Sequence, residues 1–213
     1  MKIETLRKLA AREEIDYNFI ISALKDYAHP RDKISAWLRS GELIRVKKGL
    51  YIFGMNVAEK PFSKEVLANH VYGPSAISLM SALSFYGLIP ERVNIIMSIT
   101  NNRAKQFNTP VGIFKYYYLA PHKYSVGIVL NTDIKEQAFF IASAEKALCD
   151  QIHLIDKHNK FNNFNAVEKY LFSNLRIDET LLLQFKLNNL KDICEVYNNH
   201  NLFVLCDYIK HRK

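Results

Sequence analysis

The apolar positions of the first 54 residues change period part-way along. Ile3, Leu6 and Leu9/Ala10 recur at helical spacing and predict a first helix over residues 2–12. Asp16 is a candidate N-cap for a second helix over residues 17–28, with Ile20, Ala23, Leu24 and Tyr27 as its buried stripe. Pro30 disfavours helical geometry in His29, and can itself open a third helix at its first position. In that helix Ile34, Trp37 and Leu38 face inward, and Gly41 is the natural stop. The period then drops to two. Ile44 and Val46 alternate with Leu43, Arg45 and Lys47, and Gly49 can take the positive φ of a tight turn before LYIF. Three helices and a hairpin in this order predict a winged helix-turn-helix.

Residues 55–62 read as a linker, and the pattern changes after it. Residues 63–71 and 76–87 are two amphipathic helices, and RVNIIMSIT is a strand rich in β-branched residues. FNTPVGIFKYYYLA reads as a hairpin turning near Thr109-Pro110-Val111-Gly112, and VGIVL and QAFFIA as two more strands. Residues 143–155 form a helix capped by Ser143, with Glu145 in its first turn, where the helix dipole favours a carboxylate. Everything after Phe164 reads as helices joined by Asn-rich turns. The expected fold class is α+β. Residues 1–57 form the winged helix-turn-helix and residues 58–213 a mixed α/β domain. Within the latter, 63–142 hold a small sheet with helices and 143–213 are helical.

A chain of 213 residues, 49% hydrophobic, suits one medium domain or two small ones with a real core. Its net charge of +8 favours an anionic partner, although the excess is spread along the chain. Local clustering says more. From His29 to Gly54 there are six Lys or Arg against two acids. The three cysteines, Cys149, Cys194 and Cys206, fit neither a disulfide framework nor a zinc pattern and read as reduced core thiols. The first residues are too charged for a signal peptide, and no run of 18 apolar residues occurs. A cytoplasmic protein with no membrane span is the expectation.

The basic helix and hairpin carry the clearest chemistry. Side chains at the start of such a helix reach base edges, and hairpin cations meet phosphates. Arg31 and Lys33 sit at the start; Arg39 lies near the helix end, and Arg45, Lys47 and Lys48 flank the turn. Trp37 has core spacing. Of Tyr116, Tyr117 and Tyr118, at most the first and third share a strand face, and a sheet strand with one core-facing tyrosine is the simpler reading than a base-stacking platform. The histidines are scattered, the glycines isolated, and no paired CxxC, HExxH, P-loop or G-x-S-x-G occurs. The acids of the middle region, Asp133, Glu136, Glu145, Asp150 and Asp156, lack a D-x-D pair and read as solvated faces. No enzymatic activity, metal or cofactor is expected.

PRDKIS followed by GELIRVKKGLYIFG resembles the N-terminal winged helix of the AbiEi-type antitoxins. Further along, GPSAISLMSALSFYGLIPE resembles their S-x-x-SAL-x-x-x-GLIPE signature, with Met80 where Glu is frequent. The strand and Thr-Pro-x-Gly-x-Phe hairpin from Ile96 to Phe114, and IASAEKALCD from Ile141 to Asp150, follow in the same order. The resemblance implies the antitoxin of a bacterial toxin–antitoxin pair linked to phage defence. Its winged helix would bind double-stranded DNA in its own promoter as an autorepressor. Its C-terminal domain would counteract a nucleotidyltransferase-like toxin, in many such systems without a stable complex. Carried over residue by residue, DNA contact falls on Arg31, Lys33, Ser35, Arg39, Arg45, Lys47 and Lys48. The alternative is a winged-helix transcriptional regulator whose C-terminal domain senses a ligand or a protein.

Overall fold

The structure is a computed structural model that describes residues 1–132 and 137–213. It is of mixed α+β class, and the described residues form a three-stranded and a six-stranded sheet. Among them, no helix is long and apolar enough to cross a membrane.

The N-terminal unit runs α1 (Ile3–Leu9), β1 (Glu14–Asp16), α2 (Tyr17–Ala23), α3 (Pro30–Arg39), β2 (Leu43–Lys47) and β3 (Leu50–Phe53). Asp16 caps α2, its carboxylate accepting the Phe19 N–H at 2.7 Å. Pro30 opens α3 as the sequence suggests. Gly41 and Gly49 adopt φ of +74° and +87°, the left-handed region that glycine enters without steric cost. Two expectations need correction. The second helix ends at Ala23 rather than near Ala28, leaving Tyr27 exposed. A strand absent from the sequence reading, β1, precedes it and pairs antiparallel with β3, giving the order β1-β3-β2.

The simple alternation expected for β2 also fails. Arg45 pairs with Tyr51, but Lys47 pairs with Leu50, so Val46 is an extra residue in a β-bulge. Neighbours on a strand point to opposite faces, and Tyr51 and Leu50 are neighbours. Arg45 and Lys47 therefore lie on opposite faces of the hairpin. Leu43, Tyr51 and Phe53 pack with Ile3, Leu6, Ile20, Ile34 and Trp37 in a first core. Val46, Leu50 and Ile52 instead enter a second core, built mainly from residues beyond position 60. Burying three such side chains is worth about 1.5–3 kcal/mol each, so the hairpin is a substantial joint between the units.

The connector is pinned as well. The backbone N–H groups of Glu59 and Lys60 donate to the Glu13 carboxylate, and that of Ser63 to Glu14 at 2.6 Å. Arg7 closes the cluster with an ion pair to Glu13 at 2.6 Å.

The second unit begins with α4 (Lys64–Val71), capped by Ser63. The segment expected as one helix over 76–87 divides into strand β4 (Ser75–Ile77) and helix α5 (Leu79–Phe85). Strands β5 (Ile95–Thr100), β6 (Lys105–Thr109), β7 (Gly112–Tyr118), β8 (Ile128–Asn131) and β9 (Phe139–Ala142) complete a mixed sheet in the order β6-β7-β5-β4-β9-β8. A short helix, α6 (Pro121–Ser125), links β7 to β8. Tyr116 is the core-facing tyrosine of β7, donating its hydroxyl to the Ala68 carbonyl of α4 at 2.6 Å, while Tyr118 is exposed. The Ser143-capped helix is α7 (Ala144–Asp150), which widens into a π-helical turn, Gln151–Ile155. Helices α8 (Phe164–Glu168), α9 (Glu179–Leu182), α10 (Leu187–Tyr197) and α11 (His200–Arg212) follow. The cysteines are free thiols; Cys149 and Cys194 are buried and Cys206 half-buried.

Candidate nucleic-acid interface

A cleft of about 830 Å³ separates α3 from the hairpin. Its α3 wall is Arg31, Ile34, Ser35 and Leu38, the i, i+3, i+4, i+7 stripe of one helix face. Its hairpin wall is Arg45, Lys48, Gly49 and Tyr51. Three cations thus border one opening, and all three are exposed. The Asp16 carboxylate also lies in the cleft but is occupied as the α2 cap.

Sequence reasoning missed the third wall, Tyr17 and Asn18 at the start of α2. The Tyr17 N–H donates to the Gly49 carbonyl at 2.9 Å, tying α2 to the hairpin turn. Its hydroxyl accepts from Arg31 Nε at 3.3 Å, which orients the guanidinium. The pairing of β1 with β3 creates this contact, and no local pattern announces it.

The other candidates lie elsewhere. Lys33 sits two residues from Arg31, about 200° round the helix. Its ammonium lies 5.4 Å from the ring centre of the buried Trp37. Arg39 is exposed at the end of α3 and does not line the cleft. Ser35 lines it, with its hydroxyl donating to the Arg31 carbonyl at 2.9 Å. Lys47 is turned away by the bulge, and its ammonium donates to the Val71 carbonyl of α4 at 2.6 Å. Burial, then the nearby Lys105 cation, pushes the Lys47 pKa down.

Of the five middle-region acids, the three that the structure describes are each engaged by partners within the fold. Asp133 and Glu136 lie outside the described residues. Glu145 is buried and accepts the Lys186 N–H at 2.8 Å. Asp150 is fully buried, accepting from Ser78 Oγ at 2.6 Å, from Lys146 at 3.4 Å and from the Tyr197 hydroxyl. Lys146, equally buried, also donates to the Lys123 carbonyl and the Tyr197 oxygen, so all three of its N–H bonds are used. Desolvation pushes the Asp150 pKa up and the Lys146 pKa down. Asp156 accepts from Gln151 and Tyr170. Neither member of the Lys146–Asp150 pair has surface to offer a substrate. Among the described residues, no group of His, Cys, Asp and Glu is arranged to hold a metal ion.

No family model matches this chain, and no curated protein matches it. The functional reading rests on the geometry of the cleft.

Proposed function

We propose that the N-terminal unit is a winged helix-turn-helix that binds double-stranded DNA, with α3 in the major groove and the hairpin on the flanking backbone. The observation that carries this reading is the convergence of Arg31, Arg45 and Lys48 on one exposed cleft. The element order α1-β1-α2-α3-β2-β3 supports it, as does the Tyr17 contact that presents Arg31. Arg31 is the base-reading candidate, because a guanidinium can bond two acceptors of one guanine. Arg45 and Lys48 are the phosphate contacts.

On this reading, with the resemblance to AbiEi-type antitoxins, the chain represses its own promoter and counteracts a nucleotidyltransferase-like toxin encoded beside it. The acids of α7, Glu145 and Asp150, are buried within the fold. A mobility-shift series with the DNA upstream of its own reading frame tests the DNA part. If Arg45 and Lys48 each neutralise one phosphate, log affinity falls with log salt at a slope of about −1.8. Affinity for this DNA that does not vary with salt would overturn the assignment. Co-expression with the adjacent reading frame tests the antitoxin part by growth rescue.

A further inference from the structure

Arg31 leaves α3 from a fixed point, because Pro30 sets the backbone at the first helical position just before it. Its far end is held too. The phenol oxygen that accepts from Arg31 Nε at 3.3 Å belongs to Tyr17, and Tyr17 is itself anchored. Its backbone N–H donates to the Gly49 carbonyl at 2.9 Å. It opens α2, whose start is capped by the Asp16 carboxylate. Its half-buried ring packs against the core of the N-terminal unit. An exposed arginine ordinarily samples many rotamers, and holding both ends removes much of that freedom before any partner arrives.

Which nitrogen is held matters as much. A guanidinium presents donors along an edge that includes Nε and along an edge formed by its terminal NH2 groups. Tyr17 occupies Nε, so the terminal edge is the one left for a partner in the cleft. Paired N–H donors match the O6 and N7 acceptors of guanine in the major groove. Adenine keeps N7 but replaces O6 by an amino donor, so donor meets donor. A mobile guanidinium escapes that clash by turning to a phosphate. A pinned one does not, and the mismatch is felt in full.

We infer that Tyr17 is a positioning residue that sets base discrimination: its hydroxyl commits the terminal edge of Arg31 to a guanine and keeps Arg31 off the backbone. This rests on the DNA-binding reading above and goes beyond it by assigning affinity and specificity to different groups. Arg45 and Lys48 supply the salt-dependent affinity, and the Tyr17–Arg31 pair supplies the preference for a G·C pair.

The test takes the full-length protein and the DNA upstream of its own reading frame, with each G·C pair replaced in turn by A·T. Fluorescence anisotropy reads the affinity of every duplex. In the wild type, replacement at the pair that Arg31 reads should weaken binding by about tenfold or more, and Arg31→Ala, by erasing that penalty, identifies the pair. Tyr17→Phe keeps the ring and the backbone bond to Gly49 and loses only the hydroxyl. It should cut the penalty to about threefold or less while keeping the melting temperature and a salt slope near about −1.8. In an Arg31→Lys background, which has no two-donor edge, Tyr17→Phe should change nothing further. The inference is overturned if Tyr17→Phe retains the full penalty, if it weakens every duplex alike, or if it lowers the penalty as much in the Arg31→Lys background. It is overturned as well if the wild type binds with salt dependence but shows no G·C penalty that Arg31→Ala erases. A wild type whose affinity for this DNA ignores salt is a different result, and it sinks the DNA-binding reading itself.

Discussion

Lys47 and Lys48 are neighbours in sequence, yet the bulge at Val46 gives them different work. Lys48 borders the cleft, whereas Lys47 spends its ammonium on the Val71 carbonyl. Replacing each by alanine should therefore separate affinity for DNA from stability of the fold. Each phosphate contact contributes about −0.9 to the log–log salt slope, so a fourfold rise in salt weakens binding about 3.5-fold per contact. With Arg45 and Lys48 on phosphates, the wild type loses about 12-fold over that range. Lys48→Ala should lower the slope from about −1.8 to about −0.9 and bring the loss to about 3.5-fold. Lys47→Ala should keep a slope near about −1.8. It breaks instead a half-buried, charge-assisted hydrogen bond worth about 1–2 kcal/mol, which lowers the melting temperature by about 2–8 °C. Fluorescence anisotropy on promoter DNA across a salt series, paired with thermal melts followed by circular dichroism, reads both effects. The reasoning fails if Lys47→Ala lowers the slope as much as Lys48→Ala does. It fails equally if Lys48→Ala melts early and leaves the slope intact.

Two further perturbations test the interior. Lys146→Met leaves the Asp150 carboxylate buried without its counter-ion and should cost about 3–5 kcal/mol, a fall of roughly 6–20 °C in melting temperature; the double variant with Asp150→Leu should recover most of it. A double variant no better than the single would show that the two charges are not coupled. Burial raises the Glu14 pKa above its ordinary 4.5, an effect only partly offset by the Ser63 N–H. A raised folded-state pKa favours the protonated carboxyl, so its stabilisation is complete below the unfolded value and is lost as pH climbs through the folded one. Glu14→Gln, which cannot ionise, should therefore gain on the wild type as pH rises above the ordinary 4.5, and a gap that moves the other way in paired melts would refute the assignment.

Much of the N-terminal unit is legible in its punctuation. Asp16, Pro30, Gly41 and Gly49 each dictate a local backbone state, and each stands where that state is needed. The errors arise where a partner distant in sequence decides. Ser75–Ile77 reads as the start of a helix because a short apolar run has no period of its own, and only its place between β5 and β9 makes it a strand. β1 is three residues long and exists because β3 offers it an edge. Glu145 and Asp150 read as surface acids because a charged side chain in a helix is usually solvated. Their partners, the Lys186 N–H, Ser78 and Tyr197, lie 41 to 72 residues away. At the cleft, residue type and rough position of Arg31, Arg45 and Lys48 could be read. The removal of Lys47 could not, since it turns on one unpaired residue in a ladder. Tyr17 was hidden for the same reason as β1.

The two-faced hairpin also bears on how such a chain can be inherited. Recombination tends to succeed where an exposed connector carries few contacts between the parts it joins. Here the join runs through the middle of a strand pair, and the connector after it is held by Glu13 and Glu14. A copy of residues 1–57 moved onto another protein would carry Val46, Leu50 and Ile52 without their cover. A copy of the remainder would leave the second core open where they enter it. Neither half can be traded alone without re-inventing the surface it leaves behind, so the two would be expected to change by paired substitution across that seam.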